Sequence, residues 1–272
     1  MGDDFFPPLR LFRADAEPEC DPHTLACREL LRPVDAGSTR RGLEPFSRSW
    51  FEELELKRYA RNGSWLPRVL EFSRHSGESL LMLRPGLGTD AIQYQRHGVD
   101  VTVCTTAGDE PDWLAKNFTL RGLSLRTIPA DGHHLPFHSA SFDLAYVNAL
   151  HDSHPPAGEI IRVLRPGGKL FALFPARFGL GFWLRVLLPW QRWLGGSKPE
   201  APDHAASAAT LRQSFLEFEK HRIGKRHLRR ADLPTAWKVV PHSLAERMVG
   251  EVIVLRAFKP LRAGKQQSVR AA

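Results

Sequence analysis

Between an apolar run and a helical pattern, the chain places Arg84-Pro85-Gly86-Leu87-Gly88-Thr89-Asp90. Two glycines one residue apart let a backbone pass close to a ligand, and a helix start behind them offers unpaired N–H groups that favour an anionic or polar group. That is nucleotide-binding chemistry. A second group could move protons: His151, with Asp152 behind it, joins a side chain that titrates near neutrality to a carboxylate able to orient it. Asn148 stands just ahead of them. His133, His134, His138, His151, Asp152 and His154 are metal-ligand types, but their spacing matches no common zinc signature. Solvated loop histidines are the plainer reading, and no metal is expected.

These residues need a scaffold that holds loops at one end. Leu80 to Leu83 is a short continuous apolar run ended by Pro-Gly-x-Gly, the pattern of a strand buried on both faces. Helical spacing at Ala91, Tyr94 and Gln95 stops at Gly98, and Val99 to Cys104 reads as a second strand. The alternation continues with a helix over 112–120, strands over 123–128 and 142–147, a helix over 158–164 and a strand over 169–174. Strands alternating with helices predict a parallel sheet covered on both faces, with ligands at the carboxyl ends of the strands.

The ordered set Gly86-Leu87-Gly88-Thr89-Asp90, Leu135-Pro136-Phe137, Ser141-Phe142-Asp143-Leu144 and Arg162-Val163-Leu164-Arg165-Pro166-Gly167-Gly168-Lys169 resembles class I S-adenosylmethionine (SAM) dependent methyltransferases of the type 11 kind. The resemblance covers roughly residues 47–175. It implies an α/β, Rossmann-like fold with a mostly parallel seven-stranded sheet flanked by helices, the last strand pair forming an antiparallel edge. It also implies SAM as cofactor, contacted by Arg84, Gly86, Gly88, Asp90, Thr105, Asp131, Gly132 and Asn148, with Asp131 on the adenine amino group and Leu135-Pro136-Phe137 as an apolar lid over the base. His151 would be the general base and Asp152 its orienter.

The sequence departs from the family pattern on the ligand side. Met82 and Arg84 stand where the family has an acid and the first glycine, and Thr105 stands where a carboxylate grips the ribose hydroxyls. Asp109 or Glu110 could replace that grip. Arg84 could pair with the cofactor carboxylate or fill the pocket and exclude it. Arg58-Tyr59 resembles a helix of one family branch in which both lie near the cofactor; ordinary packing is the other reading.

Length and composition bound the rest. A chain of 272 residues, 42% hydrophobic, can form one large α/β domain with small additions. Residues 1–46, rich in Pro, Asp, Arg and Gly, read as a partly ordered arm contributing little to the core. Residues 47–260 read as the domain, with its core at 79–175 and a lid or insert at 176–240, and 261–272 as a disordered tail. Residues 178–194 are apolar nearly all round; they predict a core helix with a substrate lid, or a helix lying on a membrane surface. The basic run Lys220, Arg222, Lys225, Arg226, Arg229 and Arg230 is a solvated face or a phosphate track. Three cysteines and no leader-like N-terminal run point to the cytoplasm. The resulting expectation is methyl transfer from SAM to a small or lipophilic acceptor. The alternatives are a degenerate methyltransferase fold serving as a binding or scaffold module, and an RNA methyltransferase using the basic run.

Overall fold

The computed structural model describes residues 21–31, 43–60, 63–105, 111–130, 134–150, 156–187 and 205–261. Seven strands form one sheet: β1 (Ser79–Leu83), β2 (Asp100–Thr105), β3 (Arg126–Pro129), β4 (Phe142–Asn148), β5 (Leu164–Pro175), β6 (Glu219–Arg226) and β7 (Val252–Phe258). Their order across the sheet is β3-β2-β1-β4-β5-β7-β6. The pairs among β1 to β5 are parallel, and β7 runs antiparallel between β5 and β6. The expected mostly parallel, Rossmann-like α/β sheet is therefore present.

Strand β1 lies at the centre, and its alternate residues serve two cores. Leu81 and Leu83 pack into the layer with Phe142, Ile160 and Phe174, whereas Leu80 and Met82 pack into the layer with Tyr94, Phe118 and Tyr146. This two-sided burial explains why the segment lacks a polar alternation. Met82, where the family pattern has an acid, is wholly buried among apolar side chains.

The helices α4 (Thr89–Arg96), α5 (Pro111–Leu120) and α6 (Ala157–Val163) follow β1, β2 and β4. Ahead of β1 come α2 (Arg48–Tyr59) and α3 (Leu66–Leu70). Ser47 caps α2 by accepting from Trp50 N, and Trp50, Phe51 and Leu54 form its buried stripe. Glu55 then ties α2 to the domain, accepting from Gln93 Nε2 at 2.5 Å and Arg96 Nη1 at 2.6 Å, and from Arg121 Nη1.

The arm corrects the sequence expectation. Asp21 and Pro22 open a helix α1 (Pro22–Glu29), with Asp21 Oδ2 accepting from Thr24 N at 3.1 Å. Leu25, Ala26 and Leu30 are buried with Phe46, Trp50, Phe51, Leu54 and Leu87 in a core of their own. Residues 22–30 thus pack on the domain through apolar contacts the sequence reading missed.

The third strand runs four residues, Arg126–Pro129, rather than 123–128. The segment Arg165-Pro166-Gly167-Gly168 belongs to β5 and not to a loop before it; the register against β4 shifts between Phe142 and Leu144 to absorb the extra residues. The basic run forms β6 and the turn after it. Charged residues on an exposed edge oppose pairing with another chain, which gives that run a structural reason. Beyond β5 lie α7 (Leu180–Leu187), α8 (Ala208–Ser214) and α9 (His242–Val249). Among the described residues no helix is long and apolar enough to cross a membrane.

Candidate functional site

Strand register lines up the ends of the parallel strands. Leu83 pairs with Cys104 on one side and Val147 on the other, so the next residues, Arg84, Thr105 and Asn148, stand in one row at the carboxyl end of the sheet. Ala130 N donates to Thr105 O at 2.9 Å, so Ala130 stands at this same end. Asn148 Oδ1 is buried and has no hydrogen-bond partner among the described residues. Asp131, Gly132, His151 and Asp152 lie outside the described residues, as do Asp109 and Glu110.

From Arg84 the chain turns sharply. Arg84 has φ 56°, Gly86 φ 57° and Gly88 φ 80°. An arginine thus keeps the left-handed backbone that favours glycine, which costs about 1–2 kcal/mol. The two glycines are required for different reasons. A Cβ on Gly88 would collide with Leu114 Cδ1 and stand 2.8 Å from Phe118 Cε2, so Gly88 lets α5 close against the loop. A Cβ on Gly86 would stand 2.5 Å from Glu29 Oε2.

Glu29 is the residue the sequence reading did not find. Its Oε2 accepts from Leu87 N at 2.8 Å and its Oε1 from Thr89 N at 3.2 Å. Gly88 at the head of α4 has no side chain to cap the helix, and Glu29 takes that place from α1. A carboxylate at a helix start is favoured by the free N–H groups and the helix dipole. Glu29 is also buried, and that burial pushes its carboxyl up, against the Arg58 charge and the bonds from Thr89 and Leu87. The signal in the sequence was local: an Asp-Pro helix opening followed by apolar residues at 25, 26 and 30.

Beneath the loop lies a second buried carboxylate. Asp90 Oδ1 accepts from Arg58 Nε at 2.8 Å and Tyr59 Oη at 2.6 Å; Asp90 Oδ2 accepts from Arg58 Nη2 at 2.5 Å and Tyr146 Oη at 2.5 Å. Burial raises the carboxyl, but the Arg58 charge and these bonds outweigh it and hold Asp90 below its ordinary value. Both phenols are pushed well up by burial and by the charge of Asp90. Among the described residues all four hydrogen bonds to the Asp90 carboxylate come from the protein itself, which gives Asp90 a supporting role under the loop beside the cofactor contact expected of it. Arg58 and Tyr59 pack as that support. Arg58 Nη1 also donates to the carbonyl of Glu29, linking the two carboxylates through one guanidinium. From α5, Asn117 Nδ2 donates to Leu87 O at 2.7 Å and fixes the loop from the other side.

The Leu135-Pro136-Phe137 segment is clamped by α6. Leu135 N donates to Glu159 Oε2 at 2.9 Å, and Arg162 donates to the carbonyls of Phe137 at 2.6 Å and Leu135 at 2.8 Å. The Arg162 hydrogen bonds and the Leu135 N–H hold Glu159 down to about 2. Asp143 of the Ser-Phe-Asp-Leu segment sits at the opposite end of the sheet, accepting from Ser79 N at 2.9 Å and Arg165 Nη1 at 2.6 Å, and is structural. Among the described residues no group of three or more metal-ligating side chains comes together.

Comparison with known proteins agrees with this architecture. Residues 82–172 match the methyltransferase domain family. The matched stretch is about a third of the chain and takes in the Gly86–Gly88 turn. A demethylmenaquinone methyltransferase from Beutenbergia cavernae is 31% identical over 141 residues, 47% of this chain and 56% of that protein. The match thus spans little more than half of that relative's length. A SAM-dependent methyltransferase from Aquifex aeolicus shares the fold at 12% identity, over 78% of this chain and 98% of that one, with a TM-score of 0.52. The [4+2]-cyclase SpnF does so at 20% identity, over 78% and 83%, with a TM-score of 0.52. At such identities a shared architecture does not specify the reaction.

Proposed function

We propose that this chain is a methyltransferase that transfers a methyl group from SAM to a lipophilic acceptor. The observation that carries the reading is the strand-end row Thr105, Arg84 and Asn148 beside the Gly86–Gly88 turn, inside the 82–172 family match. The residues fit the cofactor in part. Asn148 Oδ1, buried and unpaired among the described residues, is an acceptor suited to a donor group on a ligand. The Leu87 and Thr89 N–H groups suit a polar or anionic ligand atom, but Glu29 holds them. SAM supplies an electrophilic methyl on a sulfonium; the protein's part is to position a nucleophile in line with it and exclude water. Arg84 would meet the cofactor carboxylate, Asp131 and Gly132 the adenine, and Thr105 the ribose more weakly than an acid would. His151, oriented by Asp152, would accept a proton from an acceptor hydroxyl or amine.

The lipophilic acceptor is supported by the name of the curated relative and by the apolar α7, which follows β5 at the carboxyl end of the sheet. The RNA alternative is weaker on this geometry. Lys225 donates to the carbonyls of Phe178 and Met248, Arg226 to Glu246 and Arg230 to the carbonyl of Lys238, so half of the basic run is engaged by internal partners. Titration with SAM, followed by transfer of labelled methyl into a lipid extract and into bulk RNA, tests the proposal. Label in the lipid fraction alone is expected. Label in RNA alone overturns the acceptor, and no SAM binding favours the degenerate scaffold, a reading to which Thr105 and Glu29 lend weight.

A further inference from the structure

We infer that Glu29 is an internal ligand of the glycine loop, a plug carried on α1, and that a cofactor reaches Gly86 only when this helix withdraws. The plug follows from the geometry alone. Only the identity of the incoming ligand rests on the methyltransferase reading.

Three observations converge. Both oxygens of Glu29 accept from loop N–H groups, Leu87 N at 2.8 Å and Thr89 N at 3.2 Å, so the polar donors on that surface of the turn are taken. The space next to the Gly86 α-carbon, which the missing side chain leaves for close approach, is filled by Glu29 Oε2: an added Cβ would stand 2.5 Å from it. A ligand lying against Gly86 and the carboxylate therefore exclude each other. Finally, α1 has eight residues, and a helix this short does not hold itself together in water. Its position depends on Leu25, Ala26 and Leu30 in their small core and on the Arg58 hydrogen bond to the Glu29 carbonyl. These are separate from the central core layers around β1, so α1 can leave without opening the sheet.

The arrangement is built for exchange. A carboxylate displaced from a buried seat regains its hydration, and the burial that pushes the Glu29 carboxyl up works against keeping it charged in place. Asp90, the carboxylate that must stay, has four hydrogen bonds from three side chains, whereas the carboxylate of Glu29 has two from the backbone. A carboxylate-bearing cofactor offers the vacated N–H groups a like partner.

The test combines amide exchange with calorimetric titration of SAM on the full chain. In Glu29→Ala without ligand, exchange at Leu87 and Thr89 should rise about tenfold or more, the equivalent of one charge-assisted hydrogen bond, and SAM should bind about tenfold or more tightly than to wild type. In wild type, saturating SAM should speed exchange across residues 22–30 while slowing it at the loop. Leu25→Ala combined with Leu30→Ala loosens α1 while keeping the Glu29 carboxylate; it should shift both readouts in the same direction and decides the matter if Glu29→Ala fails to fold. Unchanged loop exchange in the variants, or SAM binding that slows exchange at 22–30, overturns the plug. A loop that opens in the variants while no protein binds SAM leaves the plug standing and overturns the cofactor reading instead.

Discussion

Beneath the glycine loop, Asp90 is enclosed by Arg58, Tyr59 and Tyr146, each donating to it. Above the same loop, the chain has an arginine in a glycine conformation at residue 84, threonine at 105 and its own Glu29 on the free N–H groups. The two sides differ in what each can lose. The lower side holds α2, α4 and β4 together, so a change there is paid for by the whole fold. The upper side is where the proposed cofactor would lie, and changes there should alter binding while the sheet stays intact. The lower side is closed by side-chain bonds onto Asp90, and the upper side is closed from within by Glu29.

Substitutions on the two sides should separate them. Asp90→Ala leaves Arg58 as an uncompensated buried charge and should lower unfolding free energy by about 3–5 kcal/mol in denaturant titration. A loss below about 1 kcal/mol would show the support is dispensable. The two glycines give a sharper contrast. Gly88→Ala forces a side chain into Leu114 and Phe118 at a left-handed position and should cost about 1–3 kcal/mol. Among the described residues Gly86→Ala meets only the Glu29 carboxylate, so part of its strain can be relieved by release of α1, and limited proteolysis should cut near residues 22–30 first. Equal global destabilisation by both would erase the distinction.

Arg84→Gly acts in the opposite direction. Relief of the left-handed strain at φ 56° should stabilise the fold by about 1 kcal/mol, read as a raised thermal midpoint. The smallest effect is expected at Glu159, which with Arg162 clamps the Leu135-Pro136-Phe137 segment from the surface. Its carboxyl is held from 4.5 down to about 2, so the stabilisation it supplies is complete above its unfolded value and is lost as pH falls from 4.5 toward 2. Glu159→Gln should lower stability slightly at neutral pH, flatten the acid limb over that window and leave stability near pH 2 little changed. An unaltered acid limb would show that the clamp contributes nothing.

The sequence announced the sheet because apolar runs such as Leu80–Leu83 are forced by burial on both faces, a condition that leaves little freedom of residue type. It also placed Arg84, Thr105 and Asn148 correctly at one end, since strand ends follow from the runs before them. What it hid were pairings across long separations. Asp90 reads as a ligand contact from its place after Gly-Leu-Gly-Thr; only the arrival of Arg58 and Tyr59 from α2 and of Tyr146 from β4 shows its part in the support. Glu29 lies sixty residues from Thr89, in a stretch whose Pro and Asp content read as an arm. The helix signature was present at Asp21-Pro22, but the partner that gives it meaning is tertiary.

The most direct test is a crystal structure of the wild-type protein with S-adenosylhomocysteine. The account predicts ligand against Gly86, Glu29 no longer bonded to Leu87 N or Thr89 N, and the Asp90 bonds to Arg58, Tyr59 and Tyr146 unchanged. A complex in which Glu29 keeps both N–H groups, or in which the Asp90 cluster opens instead, would contradict it.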